Sequence, residues 1–223
     1  ELNDYNIFVS YNPEFIAQGT IIRDQQYPDA VVIGEADKQA GDLIEKINKD
    51  LCKNDPLIHR MSPVDGEITK LAINCFLTTK ISYANMVGDI AVRYGGSSSN
   101  ILSAIGADSR IGLKYGYGFG GPCFPRDNRA LAKCAEEVGI DATISKATDI
   151  MNTNHLEYQV EEFVKNNDKN KDVIFDFVTY KKESVILEES QQLKFALKLK
   201  ELGYNIIIKD DRPEVLKQLK NII

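Results

Sequence analysis

The apolar and polar positions of this chain alternate with two different periods, and the change of period divides it. At the start, YNIFVSYNPEF and DAVVIG are short continuous apolar runs of the kind that form buried strands, the first closed by Asn12-Pro13 and the second by Gly34. AGDLIEKINKDLCKN, residues 40 to 54, is amphipathic with a helical period. The longest regular element follows. Ser62 is placed as N-cap, Pro63 as the first helical residue and Asp65 as the returning acid. Apolar or small residues then recur at Ile68, Leu71, Ala72, Cys75, Phe76, Thr79, Met86, Val87 and Ile90, until Gly95-Gly96 stops the helix. A helix over 63–94 would run for roughly 45 Å. That exceeds what a small domain needs, so its apolar face is a candidate subunit contact.

Residues 97 to 115 are expected to form two short helices, capped by Ser99 or Asn100 and stopped at Gly106. A helix starting at Cys123 and ended by Gly139 comes next, followed by a long helix over ISKATDIMNTNHLEYQVEEFVKNN. NNDKNKD is a polar linker. After it, DVIFDFVTY, EESQQLKFALKLKELG, NIIIKDD and RPEVLKQLKNII are the strand, helix, strand and helix that open a parallel doubly wound sheet. The expected fold is thus α/β fragments flanking an all-α central domain, with boundaries at 1–61, 62–166 and 171–223. Both ends are expected to be cut within a sheet.

Composition narrows the chemistry. In 223 residues with 43% hydrophobic and 27% charged side chains there is enough apolar surface for a substantial core. A net charge of −6 leaves no basic footprint for nucleic acid or membrane surfaces. The four cysteines have no paired-ligand spacing and there are only two histidines, so no metal site is expected and reduced, cytosolic thiols fit best. No stretch has the form of a signal peptide or a bilayer span.

The stretch that carries chemistry is GYGFGGPCFPRDNRA, residues 116 to 130. Gly120 and Gly121 free the backbone, Pro122 and Pro125 suit a first helical turn, and Cys123 and Asp127 lie one turn apart. At a helix start the sulfur would meet unpaired N–H groups and the positive end of the dipole, a field to which Arg126 and Arg129 add. The alternative is a small buried cysteine before an ordinary amphipathic helix. Gly116, Gly118 and Gly121 also spell G-x-G-x-x-G, but DSRIGLKY before them is charged and no strand precedes the turn, so a dinucleotide site there is rejected. Lys70 and Asn74, one turn apart on the long helix, could supply a charge and a donor to an oxyanion, or be a snorkelling lysine and a solvated amide. Glu14, after Asn-Pro at a strand end, is where ligands of open α/β sheets are met; the plainer reading is a solvated turn carboxylate.

Taken together, NPEFIAQGT, KLAINCFLTTKISYAN, DSRIG, GFGGPCFPRD and TYKKESVILEESQ, in this order and spacing, resemble the UDP-glucose/GDP-mannose dehydrogenase family of nucleotide-sugar 6-dehydrogenases. The resemblance implies the tail of an N-terminal Rossmann domain for NAD, a whole central helical dimerisation domain through helix 63–94, and the front of a Rossmann-like domain for the nucleotide sugar, UDP-glucose being the first choice. It implies a double oxidation of the sugar C6 alcohol to a carboxylate. Cys123 would hold the aldehyde as a thiohemiacetal and then a thioester, Lys70 and Asn74 would stabilise the oxyanion, and Asp127 and Glu14 would handle protons and water. Phe15, Ile16, Phe119, Gly120, Phe124, Tyr180 and Lys181 would line the substrate pocket, with Arg110 and Lys114 as further contacts, Arg110 across the dimer. Gln18 stands where many members have an acid, and Phe177 where a glycine is usual. The glycine-rich NAD loop and its ribose-binding acid do not occur in the chain, so the chain alone is not expected to turn over NAD. Two other classes stay open: a cysteine hydrolase, against which neither His59 nor His155 shows a sign of pairing with Cys123, and a non-catalytic dimerising or sugar-nucleotide-binding module.

Overall fold

A computed structural model describes residues 9–17, 19–108 and 111–222. The chain divides into two compact units, residues 1–73 and 74–223, with the division falling inside one long helix. Both are mixed α/β, and each contains a two-stranded parallel sheet.

In the first unit β1 (Ala30–Gly34) pairs in parallel with β2 (Leu57–Met61), from Ala30 opposite Leu57 to Gly34 opposite Met61. Val31, Val32 and Ile33 of β1 are buried, as a continuous apolar run requires. Between the strands runs α2 (Lys38–Leu51), which Asp37 caps by accepting from the Gln39 and Ala40 N–H groups at 2.9 and 3.0 Å. It begins two residues earlier than expected because that cap lies outside the apolar repeat. β2 was not expected: LIHRM exposes Leu57 and His59, and its weak alternation hides it. Arg60 of β2 ties the layers by forking to Asp42 at 2.6 Å, Glu45 at 3.1 Å and Glu35 at 2.8 Å.

The first expected strand fails in its described part. Tyr11 and Gly34 exchange both backbone hydrogen bonds, at 2.8 and 2.7 Å, as a single antiparallel bridge. Asn12 then spends its side-chain amide on the Val32 carbonyl at 2.8 Å, and Pro13 has no N–H to continue the ladder. The earlier half of that expected strand lies outside the described residues. A short helix, α1 (Ile21–Gln26), buries nothing and had no periodic signature.

The long helix α3 (Pro63–Arg93) has 31 residues, close to the expected span. Ser62 accepts from the Asp65 N–H at 3.2 Å, but its hydroxyl donates to the Asp65 carboxylate at 2.8 Å, so the acid closes the cap on the serine side chain. A Cβ on Gly34 would lie 2.8 Å from Pro63 Cα, which is why the strand ends on glycine where the helix begins.

In the second unit, the remainder of α3 is followed by α4 (Ser98–Gly106), α5 (Phe124–Glu137), α6 (Thr143–Asn166), β3 (Val173–Phe175), α7 (Gln191–Glu201), β4 (Ile206–Ile208) and α8 (Pro213–Leu219). Only one helix forms among the described residues of 97–115, since 111–115 turns away as an irregular loop, and its cap is Ser97, which accepts from the Asn100 N–H at 3.2 Å. Neither Ser99 nor Asn100 is the cap. β3 and β4 pair in parallel, with Val173 opposite Ile206. β3 is far shorter than the run DVIFDFVTY suggests. After it the backbone doubles back, Tyr180 N–H to the Ile186 carbonyl at 3.2 Å, and Arg212 collects the Lys182 and Ser184 carbonyls at 2.9 and 2.6 Å. Inside the expected run, the Val178 carbonyl accepts from the Ser190 hydroxyl at 2.7 Å, so it is spent on a side chain and not on a ladder.

The core of this unit contains Val178, Leu187, Leu199 and Val215 with Val160 of α6. Phe163 of α6 meets Phe195 and Tyr204 edge-on at 5.6 and 5.7 Å. The polar stretch after α6 is exposed as expected, yet α6 itself packs into the core that follows it.

Candidate functional site

Residues 115 to 123 form a loop that approaches its surroundings more closely than side chains allow. A Cβ on Gly118 would lie 2.3 Å from Asn152 Oδ1, and one on Gly120 2.3 Å from the Glu189 carbonyl oxygen. Gly121 has φ of +80° and sits against the Tyr180 ring, 2.7 Å from where its Cβ would be. Between them Phe119 is buried. Its N–H donates to Asn152 Oδ1 at 2.8 Å, and its carbonyl accepts from Asn152 Nδ2 at 2.9 Å and Gln191 Nε2 at 3.1 Å. The Asn152 amide thereby acts as a one-residue strand partner to the loop.

This loop delivers Cys123 to the N-cap of α5. The sulfur makes no capping hydrogen bond and the residue is exposed, which removes the buried-cysteine alternative. Pro125 occupies the first turn; Pro122 lies before the helix. One turn on, the Asp127 N–H donates to the Cys123 carbonyl at 2.8 Å. Asp127 is 3% exposed, and its side chain accepts from Asn74 Nδ2 at 2.6 Å and Arg126 Nε at 3.0 Å. Asn74 is thus a buried partner and not a solvated amide, and one of its two N–H groups remains for another acceptor. Cys75, the next residue, donates to the Asp127 carbonyl at 3.4 Å, and burial, with the Asp127 charge behind it, pushes its thiol up to about 11. It is the inert cysteine of the pair.

The arginines differ from expectation. Arg126 is paired to Asp127 at 2.9 Å, and Arg129 binds Asp149 at 3.2 Å and Glu189 at 2.9 Å. Both cations are held by carboxylates, so their field at the sulfur is largely cancelled. Glu189 takes an unusual φ of +51° where Gly120 meets it, and it also pairs with Lys194. Tyr180 is half-buried; burial first, then the neighbouring Cys123, raises its phenol. Lys181 lies 5.7 Å from its ring centroid. Lys114 and Phe124 share a cavity of about 530 Å³ with Lys80 and Leu102. Phe177 lines another, of about 710 Å³, with Tyr115 and Tyr158.

Within the first unit, Lys70 Nζ donates to the Glu14 carbonyl at 2.6 Å and stands 4.8 Å over the Phe15 ring. The Glu14 carboxylate accepts from Gln25 Nε2 at 3.0 Å. Glu14, Phe15 and Ile16 border a cavity of about 140 Å³. Arg110 and Gln18 lie outside the described residues.

Asn152, Gln191 and Glu189 were not singled out from the sequence, and His155 was weighed only as a partner of Cys123. For Asn152 and His155 the available signal was polar residues on successive inward turns of α6, which are meaningless until their partners are known. Among the described residues, no turn from a strand into a helix is glycine-rich: Glu35, Ala36 and Asp37 join β1 to α2. A cradle for the pyrophosphate of a dinucleotide is therefore not found in them. No helix is long and apolar enough to cross a membrane among those residues.

The chain matches the profile of the UDP-glucose/GDP-mannose dehydrogenase family central domain over residues 65–154, and that of the same family's NAD binding domain over residues 1–52. It is 34% identical over 160 residues to a UDP-glucose 6-dehydrogenase of Pseudomonas aeruginosa, covering 70% of this chain and 35% of that protein. To a GDP-mannose 6-dehydrogenase of the same organism it is 30% identical over 211 residues, 92% of this chain and 47% of the relative. The structure of a UDP-glucose dehydrogenase from the hyperthermophilic archaeon Pyrobaculum islandicum superposes with a TM-score of 0.85 at 32% identity, over 96% of this chain and 50% of that one. The chain spans between about a third and a half of these relatives' lengths.

Proposed function

Because the chain belongs to the UDP-glucose/GDP-mannose dehydrogenase family, we propose that it carries the carbonyl chemistry of an NAD-dependent nucleotide-sugar 6-dehydrogenase acting on UDP-glucose. The observation that carries this reading is Cys123, exposed at the start of α5 one turn before a buried aspartate that Asn74 holds at 2.6 Å. The double oxidation would need two NAD molecules, each accepting one hydride.

The Cys123 sulfur adds to the carbonyl carbon of the C6 aldehyde, and the oxygen takes up the proton, giving a thiohemiacetal. The free N–H of Asn74 and the Lys70 ammonium are suited to the negative oxygen. Once the adduct is at the thioester level, water attacks the acyl carbon, the C–S bond breaks, and the thiol and carboxylate separate. Asp127 moves the proton at the sulfur, and Glu14 directs the water. In the second unit Gly120, Phe124, Tyr180 and Lys181 bound the sugar-nucleotide, with Lys114 and Arg110 as further contacts; Phe15 and Ile16 are the candidates of the first unit. In this reading residues 1–61 and 171–223 are remnants of two Rossmann-like sheets, and residues 62–166 are the central helical domain. α3 is the two-fold dimer helix, since Phe76, Tyr83 and Ile90, seven residues apart, are 66%, 51% and 50% exposed.

The chain is tested by alkylation with iodoacetamide in the presence of UDP-glucose, GDP-mannose or neither, read by peptide mass spectrometry. UDP-glucose is expected to protect Cys123 and leave Cys134, the other exposed cysteine, unprotected. Equal protection by both sugars would remove the UDP-glucose assignment, and none by either would remove the site. With NAD added, the chain alone is expected to form no NADH.

A further inference from the structure

We propose that His155 positions the loop carrying Cys123, and that it does so as a doubly protonated ring. Each of its ring nitrogens faces an oxygen. Nδ1 lies 2.8 and 3.0 Å from the two Asp89 carboxylate oxygens, and Nε2 lies 2.7 Å from the Gly116 carbonyl oxygen. With Asp89 as a carboxylate, both partners are acceptors only. A neutral imidazole has one N–H and would leave a lone pair facing one of them; the imidazolium donates to both. Water cannot take over, because the side chain is 1% exposed. An unmatched acceptor there would carry the full penalty of a buried unpaired polar group.

The charged and titratable neighbours come from three elements. Asp89 faces the ring from α3, and Tyr115, edge-on to it at 5.7 Å, donates its hydroxyl to the same carboxylate at 2.8 Å. Burial and Asp89 push the Tyr115 phenol far up, so it stays a donor. From α6, Tyr158 and Glu162 act on Tyr115 at longer range. Gly88 makes the arrangement possible: a Cβ there would lie 2.1 Å from the Tyr115 ring.

The consequence for the loop is mechanical. Gly116 is gripped on both sides, its carbonyl by His155 and its N–H by Asn85 Oδ1 at 3.2 Å. Phe119 is gripped by Asn152, one turn before His155 on α6. Between Gly116 and Cys123 stand three glycines, a backbone with little stiffness of its own. The place of the sulfur therefore depends on these two anchors, and small displacements of a nucleophile are costly. The role in catalysis rests on the reading of Cys123 as the nucleophile, whereas the anchoring does not.

The test uses the ¹⁵N-labelled 223-residue chain and two-bond ¹H–¹⁵N spectra of its imidazoles. There are only two histidines, and His59, exposed on β2, is the reference. At pH 7 both His155 ring nitrogens are expected at protonated shifts, and Asp89→Asn is expected to return one of them to an unprotonated shift. One bare nitrogen in the unmodified chain would overturn the proposal, and this measurement needs no variant to fold. In a Cys134→Ser background, His155→Phe is expected to change the Cys123 alkylation rate several-fold, with His155→Gln, which can still donate to Gly116, closer to the parent rate. An unchanged rate in a folded His155→Phe chain would overturn the positioning role. Failure of UDP-glucose protection with both ring protons present would sink the proposed function and leave this anchoring standing.

Discussion

Asn74 on α3 and Asp127 on α5, 53 residues apart in the chain, meet at 2.6 Å through an amide donor and a carboxylate acceptor, both buried. The contact couples the expected oxyanion donor to the carboxylate one turn after the exposed thiol. It also predicts a stability cost. Asn74→Ala strands a buried carboxylate oxygen and should lower the unfolding free energy by about 1–3 kcal/mol in urea titrations. Asn74→Leu, which fills the space without a donor, should not recover it; full recovery would mean that the amide matters only as volume.

The four cysteines should separate by environment. Cys123 and Cys134 are exposed, Cys75 is buried with its thiol raised to about 11, and the Cys52 thiol is also raised by burial. Ellman's reagent on the native chain at pH 8 should titrate Cys123 and Cys134 rapidly and Cys75 only after denaturation. Fast modification of Cys75 in the native chain would contradict its packing under Asp127.

Arg212 reaches Asp210, the Lys182 and Ser184 carbonyls and Thr179 Oγ1, while the Asp210 side chain is only 2% exposed. The Arg212 hydrogen bond holds the Asp210 carboxyl below its ordinary value. A carboxylate so depressed stabilises the fold above its unfolded pKa, near 4, and loses that contribution as pH falls through the lower folded value. Arg212→Ala should cost about 1.5–3 kcal/mol at pH 7 and noticeably less at pH 3. A deficit that stays constant from pH 7 to pH 3 would show that the carbonyl contacts, and not the ion pair, hold the loop.

Phe76, Tyr83 and Ile90 form one stripe of α3, each at least half exposed. Static light scattering at micromolar concentration should give twice the chain mass. Phe76→Glu combined with Tyr83→Glu should give the single mass with unchanged helical circular dichroism. A monomeric parent chain would end the idea that this face is a two-fold contact.

What could be read from the residues alone is what near neighbours decide. The run AVVIG is a buried strand, Ser62-Pro63 starts α3 within one position, and Pro125 with the glycines before Cys123 puts the thiol at a helix start; period, cap chemistry and proline geometry act over a few residues. β2 escaped because LIHRM has no apolar face of its own until Ala30–Gly34 lies beside it. The truncation of β3 escaped because the end of the expected run is held by partners beyond it, Ser190 on the Val178 carbonyl and the Ile186 carbonyl on the Tyr180 N–H. The site divides in the same way. Cys123 and Asp127 are a local pattern, but that Asn74 serves Asp127, that Asn152 pairs with Phe119 at a separation of 33, and that His155 meets Asp89 at 66 depend on which helix faces come together. Periodicity records only that a face is buried; whether a polar residue on that face has a partner is decided by the packing that brings a second element within 3 Å of it.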